Sequence, residues 1–228
     1  MNHNIFKFNH YPFLRLNLNN CNFKMNLCND FKQTYNQLPF DKYITNNTRK
    51  RRYANYHVKN IDNNRYSIFH TGMNTFTQEV DDSRKEQRSF ELIIDPYHPF
   101  LLHFITLNCN ILNMNKEFKE LSVDVHQVRQ VCYPELQSHN SAEGIHQDGA
   151  DYIVSACVLN RYNILGGETS IYDMEKNRIY TTLLEEDEFV FQDDKNLYHY
   201  VTPINFKQDD NLDDIGYRDI IGLDIKIL

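Results

Sequence analysis

The chain has 228 residues, 41% of them hydrophobic, with 15 Tyr, 15 Phe and a net charge of −7. This size suits one large domain with a substantial core, and the composition is globular rather than disordered. The negative balance disfavours a general nucleic-acid role, because phosphate binding calls for a basic surface.

The chain starts Met1-Asn2-His3-Asn4-Ile5-Phe6, which builds no apolar run of the signal-peptide kind. Residues 1–50 are rich in Asn and aromatics. Phe31, Tyr35 and Leu38 fall at helical spacing before Pro39, which predicts a helix over 29–38. Arg49-Lys50-Arg51-Arg52 reads as a solvated loop rather than a nucleic-acid or targeting patch. Tyr53–Lys59 and Arg65–His70 read as strands joined by the turn-like Asp62-Asn63-Asn64. Residues 78–89 are charged, contain Arg84-Lys85-Glu86, and are placed in an exposed loop. Phe100, Phe104, Leu107, Ile111, Met114 and Phe118 mark one stripe of an amphipathic helix, with Pro99 in its first turn. That helix is expected to lie against the outside of a sheet.

After Glu120 the pattern turns to strands. The candidates are Val123–Val131, Ile145–Asp148, Tyr152–Leu159, Glu168–Tyr172, Arg178–Leu184, Glu188–Gln192, Leu197–Ile204 and Arg218–Ile225. Short strands joined by Asn, Asp and Gly turns suggest a barrel or a double-sheet jelly roll. The expected class is mainly β with flanking helices (α+β). One domain is expected over 1–228, with 1–120 as a helical and strand support region and 121–228 as the jelly-roll core. No repeat and no linker is visible.

Five cysteines, Cys21, Cys28, Cys109, Cys132 and Cys157, are scattered without a C-x-x-C spacing. Neither a disulfide framework nor a zinc knuckle is expected, and a reducing compartment suits them. No stretch of about 18 apolar residues suggests a membrane span. A soluble cytoplasmic protein, with neither nucleic acid nor membrane as partner, is the expectation.

The chemistry centres on Glu143-Gly144-Ile145-His146-Gln147-Asp148-Gly149. On a strand, residues two apart share a face, so His146 and Asp148 can offer a nitrogen and an oxygen to one cation. Two histidines and a carboxylate on one face suit an open iron site, and His199 is the candidate for the third ligand. Zinc accepts the same donors, so their types leave the metal open. Gly144 and Gly149 flank the pair and allow close approach of backbone to a ligand. Gly166-Gly167-Glu168-Thr169 opens a strand between the pair and His199. Arg218 starts the last strand, on one face with Ile220 and Gly222. A guanidinium there can hold the far carboxylate of an oxo-acid that chelates the metal, or it can pair with an acid such as Asp219.

For substrate binding, Gln127 and Arg129 share one face of the strand Val123–Val131. Arg129 is a candidate for a substrate carboxylate, with a structural ion pair as the other reading. Glu143 and Asp151 are candidates for an ammonium group, or they cap turns. His126, His139, His57, His98 and His103 show no metal-ligand spacing and read as ordinary core or surface histidines.

The order H-x-D, G-G-E-T, distal histidine, arginine resembles the Fe(II)/2-oxoglutarate-dependent dioxygenases. Pro134, the stretch Glu143 to Gly149, Asn160-Arg161 and Gly166-Gly167-Glu168-Thr169-Ser170-Ile171-Tyr172 are similar to the bacterial branch that includes the L-isoleucine hydroxylases, which act on free amino acids. The likeness is strongest over roughly 121–225. It implies a double-stranded β-helix, His146, Asp148 and His199 as Fe(II) ligands, and Arg218 as the clamp on 2-oxoglutarate. With O2, 2-oxoglutarate would go to succinate and CO2 as a free L-amino acid or similar small molecule is hydroxylated. Other readings stay open. The same fold can act on a protein or carrier-bound side chain, serve as a non-catalytic stress or regulatory binding protein, or be a zinc- or iron-bearing cupin-type enzyme without 2-oxoglutarate. The oligomeric state is open.

Overall fold

A seven-stranded antiparallel sheet organises the molecule. The computed structural model describes residues 6–62, 65–81, 84–141, 143–207 and 214–228, with backbone alone for 78–81 and 84–86. In chain order the elements are β1 (Phe13–Asn17), α1 (Met25–Gln33), β2 (Arg49–Asp62), β3 (Arg65–His70), β4 (Thr75–Asp81), β5 (Arg84–Ser89) and α2 (Pro99–Asn115). There follow β6 (Glu120–Cys132), β7 (Tyr152–Tyr162), β8 (Ile164–Gly166), β9 (Glu168–Tyr172), β10 (Arg178–Leu183), β11 (Glu188–Asp193), β12 (Tyr198–Val201), β13 (Ile204–Phe206) and β14 (Gly216–Ile227).

The main sheet runs β1-β11-β7-β14-β6-β2-β3. A smaller sheet, β10-β9-β12, accompanies it, together with the pairs β8-β13 and β4-β5. Val128, Ala156, Val158, Val190 and Ile220 of the main sheet pack with Ile171 of β9 in one buried cluster. This is the interior of the jelly roll. The opposite face of the main sheet carries the larger core, where α1 and α2 cover it through Phe31, Phe100, Phe104 and Ile111. β6, β7 and β14 are therefore covered on both faces and bury runs of consecutive side chains, so simple polar/apolar alternation is lost.

α2 begins where expected. Pro99 occupies its first turn, and the His98 Nδ1 accepts from the Phe100 N–H at 3.1 Å. The expected single stripe is too narrow, because Leu101, Ile105, Cys109 and Leu112 are buried as well. The N-terminal segment packs on this helix as well. Phe23 and Phe31 pack on the Phe100 ring, and the Asn115 side chain bonds Phe6 O and Phe8 N. Phe118 lies beyond the helix end.

Several expectations need correction. The helix predicted over 29–38 is α1 followed by a 3-10 turn at Thr34–Gln37, because the chain becomes helical earlier, at Met25. Arg49 to Arg52 are not a loop: they start β2, where backbone pairing with β6 outweighs their charge. The stretch 78–89 is not a loop either, since β4 pairs with β5 across it. Asn63, Asn64 and residues 82–83 lie outside the described residues. Ile145–Asp148 is not a strand; only His146 makes a bridge, to His199. β1 and β8 were not anticipated, and the strand expected over Leu197–Ile204 is broken at Pro203, which has no N–H to give to a ladder. Among the described residues no helix is long and apolar enough to cross a membrane.

Gly166 fixes the corner between β8 and β9. Its φ is +80°, and a Cβ there would sit 2.2 Å from the Pro203 carbonyl oxygen. A Gly166→Ala variant is expected to lose about 3 kcal/mol, from left-handed strain plus overpacking. Equilibrium denaturation should show it as a lower midpoint, and a midpoint equal to the parent's would refute the assignment.

Candidate metal centre and the cavity around it

The two histidines are brought together by backbone. His146 N–H donates to the His199 carbonyl at 3.1 Å, and His199 N–H returns the bond to His146 at 2.9 Å. The imidazole centroids are then 4.3 Å apart. Asp148 completes the group, with its Oδ1 3.4 Å from His146 Nε2 and its Oδ2 3.6 Å from His199 Nε2. One donor atom from each of the three lies within 4.8 Å of the others, a set that can hold one cation. His146 Nδ1 sits 2.8 Å from the Gly144 carbonyl, which can only accept. The ring proton is thereby fixed on Nδ1, and Nε2 is the free donor toward a metal.

The electrostatics match that use. Burial pulls His146 down, but the hydrogen bond and charge of Asp148, with Glu143 behind them, override it and raise His146 to about 9. Burial lowers His199 to about 4 against the pull of Asp148. Burial pushes Asp148 up, yet His199 and His146 hold it well below the usual carboxylate range. The centre is thus an anion and a cation beside a neutral ring, and a bound metal ion would take the place of the His146 proton.

Asp194, which the sequence did not flag, stands behind His199. Its Oδ2 accepts the Gly149 and Ala150 N–H groups at 2.9 and 3.2 Å, locking the turn after Asp148. Its Oδ1 lies 4.0 Å from His199 Nδ1, and both atoms are buried with no hydrogen-bond partner. Burial, then the charge of Asp148, raises Asp194 to about 8. A carboxyl group behind a metal-binding imidazole stands where an orienting partner of the ring belongs. Asp194→Asn is expected to weaken metal binding by about 10-fold with the fold intact; titration with Mn(II) reads this, and unchanged affinity would remove the role.

The inner face of the main sheet is set by register. β2, β6 and β14 align Arg49–Gln130–Arg218, Arg51–Val128–Ile220, Tyr53–His126–Gly222 and Asn55–Asp124–Asp224 across three strands. Arg218 is fully buried, and its Nε, Nη1 and Nη2 all lack hydrogen-bond partners. Burial, then the neighbouring Arg161, lowers it to about 9. Gln130, Gln192 and Thr169 on the same interior also carry buried polar atoms without partners. Buried groups of this kind are rare unless something answers them. A cavity of about 740 Å3 is lined by the His146, Asp148 and His199 side chains and by Val128, Ile220 and Gly222 of this sheet face, while Arg218, Gln130, Gln192 and Thr169 are not among its walls.

Glu143 lines that cavity, with Oε1 3.5 Å from His146 Nε2. Gln127 and Arg129 do not. Strand alternation puts them on the helix-covered face, so both readings as substrate ligands are corrected. Gln127 donates to Thr34 Oγ1 at 2.6 Å. Arg129 holds Asp219 through two bonds of 2.6 and 2.8 Å and lies over the Tyr217 ring. Asp151 accepts from the Ile227 N–H at 2.7 Å and pairs with Lys195. His126 and His139, read as ordinary, line the cavity, as do Arg49 and Arg51. A period of two running back from Tyr53 through Arg51 to Arg49 was the signal that could have found the arginines.

The family model described as 2OG-Fe dioxygenase matches residues 32–224. No curated protein matches the sequence. Among solved structures, a bsmA homolog from Methylobium petroleophilum PM1 aligns with a TM-score of 0.83 and 16% identity, over 96% of this chain and 89% of that one. IDO from Bacillus thuringiensis aligns with a TM-score of 0.73 and 19% identity, over 95% and 90% of the two chains. The Fe(II)/(alpha)ketoglutarate-dependent dioxygenase TqaL gives a TM-score of 0.68 and 12% identity, over 95% and 83%. At these identities the likeness is one of fold.

Proposed function

The chain belongs to the 2OG-Fe dioxygenase family, and from that premise we propose that it hydroxylates a free L-amino acid or similar small molecule, with His146, Asp148 and His199 as the metal ligands. The family uses Fe(II), 2-oxoglutarate and O2, converting 2-oxoglutarate to succinate and CO2. We take 1–228 as a single dioxygenase domain. The observation that carries the reading is the pairing of a three-donor centre with a buried, unanswered guanidinium on one sheet interior.

The residues fit the group. Two imidazole nitrogens and one carboxylate oxygen are the donors an open ferrous site takes. Arg218 binds the distal carboxylate of 2-oxoglutarate, and Gln130 and Thr169 supply polar atoms beside it. Bound iron supplies the oxygen activation that couples loss of CO2 to hydroxylation. The chain's own share is to orient both reactants and keep water out. Glu143, at the cavity wall, is placed to receive a substrate ammonium. The cavity's size supports a small-molecule substrate over a macromolecular one, since it falls in the usual range for such sites. Membership of the branch resembling the L-isoleucine hydroxylases is part of the same proposal.

An anaerobic titration of Fe(II)-loaded protein with 2-oxoglutarate tests it. A metal-to-ligand charge-transfer band should grow in, and adding O2 with a panel of amino acids should give succinate matched by hydroxylated product. No band, or succinate at background with every amino acid, counts against the reading.

A further inference from the structure

Away from the metal ligands, the cavity has a second polar wall built around Arg51. Its Nη2 lies 2.5 Å from His126 Nδ1. Arginine has no acceptor, so Nδ1 receives that bond and the imidazole proton sits on Nε2. Nε2–H then donates to Asp224 Oδ2 at 3.0 Å. The guanidinium also lies over Phe90, 4.3 Å from the ring centroid, and 5.8 Å from that of Phe76. The group is thus held from below by a hydrogen-bonded chain and from the side by two rings, with the cavity in front of it.

Its charge is unanswered. Among the described residues no carboxylate pairs with Arg51, whereas Arg49 is paired with Asp41 at 2.7 Å and Arg52 with Glu91 at 2.8 Å. Arg51 Nε is sealed from solvent and has no hydrogen-bond partner. Asp224 does not make up the deficit. Its Oδ2 is engaged by His126 Nε2 and makes no ion pair with Arg51; burial, then Asp148 and Asp124, push it well above the ordinary carboxyl range. His126 contributes none, because burial and the Arg51 charge lower it to about 3. A positioned guanidinium that faces a cavity and has no carboxylate paired with it is a receptor for an external anion.

Resting on the dioxygenase reading above, we propose that Arg51 binds a carboxylate of the organic substrate, the role that Arg129, on the opposite face of the sheet and bonded to Asp219, cannot fill. The substrate is then an acid whose oxidised carbon is held at the metal end of the same cavity.

The test uses Fe(II)-loaded, 2-oxoglutarate-bound protein under anaerobic conditions, with the coded L-amino acids and their carboxamides as probes and calorimetry as the readout. At least one amino acid should bind, and its carboxamide should bind about 100-fold more weakly, the loss expected when a buried guanidinium is left without its anion. In Arg51→Gln, which keeps a donor for His126 but not the charge, the acid–amide ratio should shrink to within a few-fold while 2-oxoglutarate affinity stays as in the parent. Arg51→Lys, which keeps charge without the planar fork, should fall between. Equal binding of acid and amide by the unaltered protein, no binding by any acid, or an undiminished ratio in Arg51→Gln each overturns the proposal. If Arg51→Gln does not fold, the acid–amide ratio of the parent and of Arg51→Lys decides. A protein that takes up 2-oxoglutarate yet shows no acid preference overturns this proposal alone. One that takes up no 2-oxoglutarate overturns both.

Discussion

Replacing Arg218 by methionine is expected to weaken 2-oxoglutarate binding by about 100-fold or more and, at the same time, to make the ligand-free protein more stable. Both effects follow from one feature. The guanidinium is fully buried and none of its three nitrogens has a partner. Removing one partner of a buried charge pair costs roughly 2–5 kcal/mol, and here the missing partner is the ligand's carboxylate. Without ligand the charge is a burden, and exchanging a buried ionic group for an apolar side chain of similar size is often stabilising by about 1–4 kcal/mol. An arginine with a structural task would show the reverse, a destabilised protein with intact ligand affinity. Calorimetric Kd for 2-oxoglutarate and the denaturation midpoint of the free protein, measured on the same variant, separate the two. Metal affinity should stay close to the parent's, since Arg218 is not among the three ligands.

Asp148→Asn and His199→Ala are expected to abolish turnover and to reduce metal affinity by more than about 100-fold. That figure is a lower bound, because loss of a group merely supporting a ligand already costs about 10–100-fold. Asp148 bridges both imidazoles in space, 3.4 Å from one and 3.6 Å from the other, so its charge serves the whole centre. His199→Ala removes a donor while leaving the backbone bonds between residues 146 and 199, which do not involve the side chain. The fold should therefore survive, as far-ultraviolet circular dichroism can check. Retention of the charge-transfer band in either variant would remove these residues from the centre.

Much of the site was legible because its chemistry is written in residue types. His146, Asp148 and His199 are brought within reach of one cation, and Arg218 lies inside the jelly roll, as read from order and alternation. β3 and β9 run over the very residues read as strands. The failures have physical causes. The pair at 146 and 148 converges without a strand, because the flanking Gly144 and Gly149 take positive φ and turn the chain. Charge in Arg49 to Arg52 hid a period of two, although a strand on the cavity side can place such side chains in a polar interior. Arg129 was assigned to the wrong face because its partner Asp219 is a neighbour only through the register of β14 on β6, which no local pattern reveals. Asp194 offered no spacing at all; its role comes from the turn it holds.

Arg218 and Asp219 are adjacent in sequence and point to opposite sides of the central strand, one toward the jelly-roll interior and one clasped by Arg129. If β14 docked one position out of step, the acid would be driven into the interior that now holds Arg218, and the base would meet the helices. The clasp on the back therefore acts as a proofreader of strand alignment. It stabilises the single pairing in which the front of the strand is fit to receive a ligand.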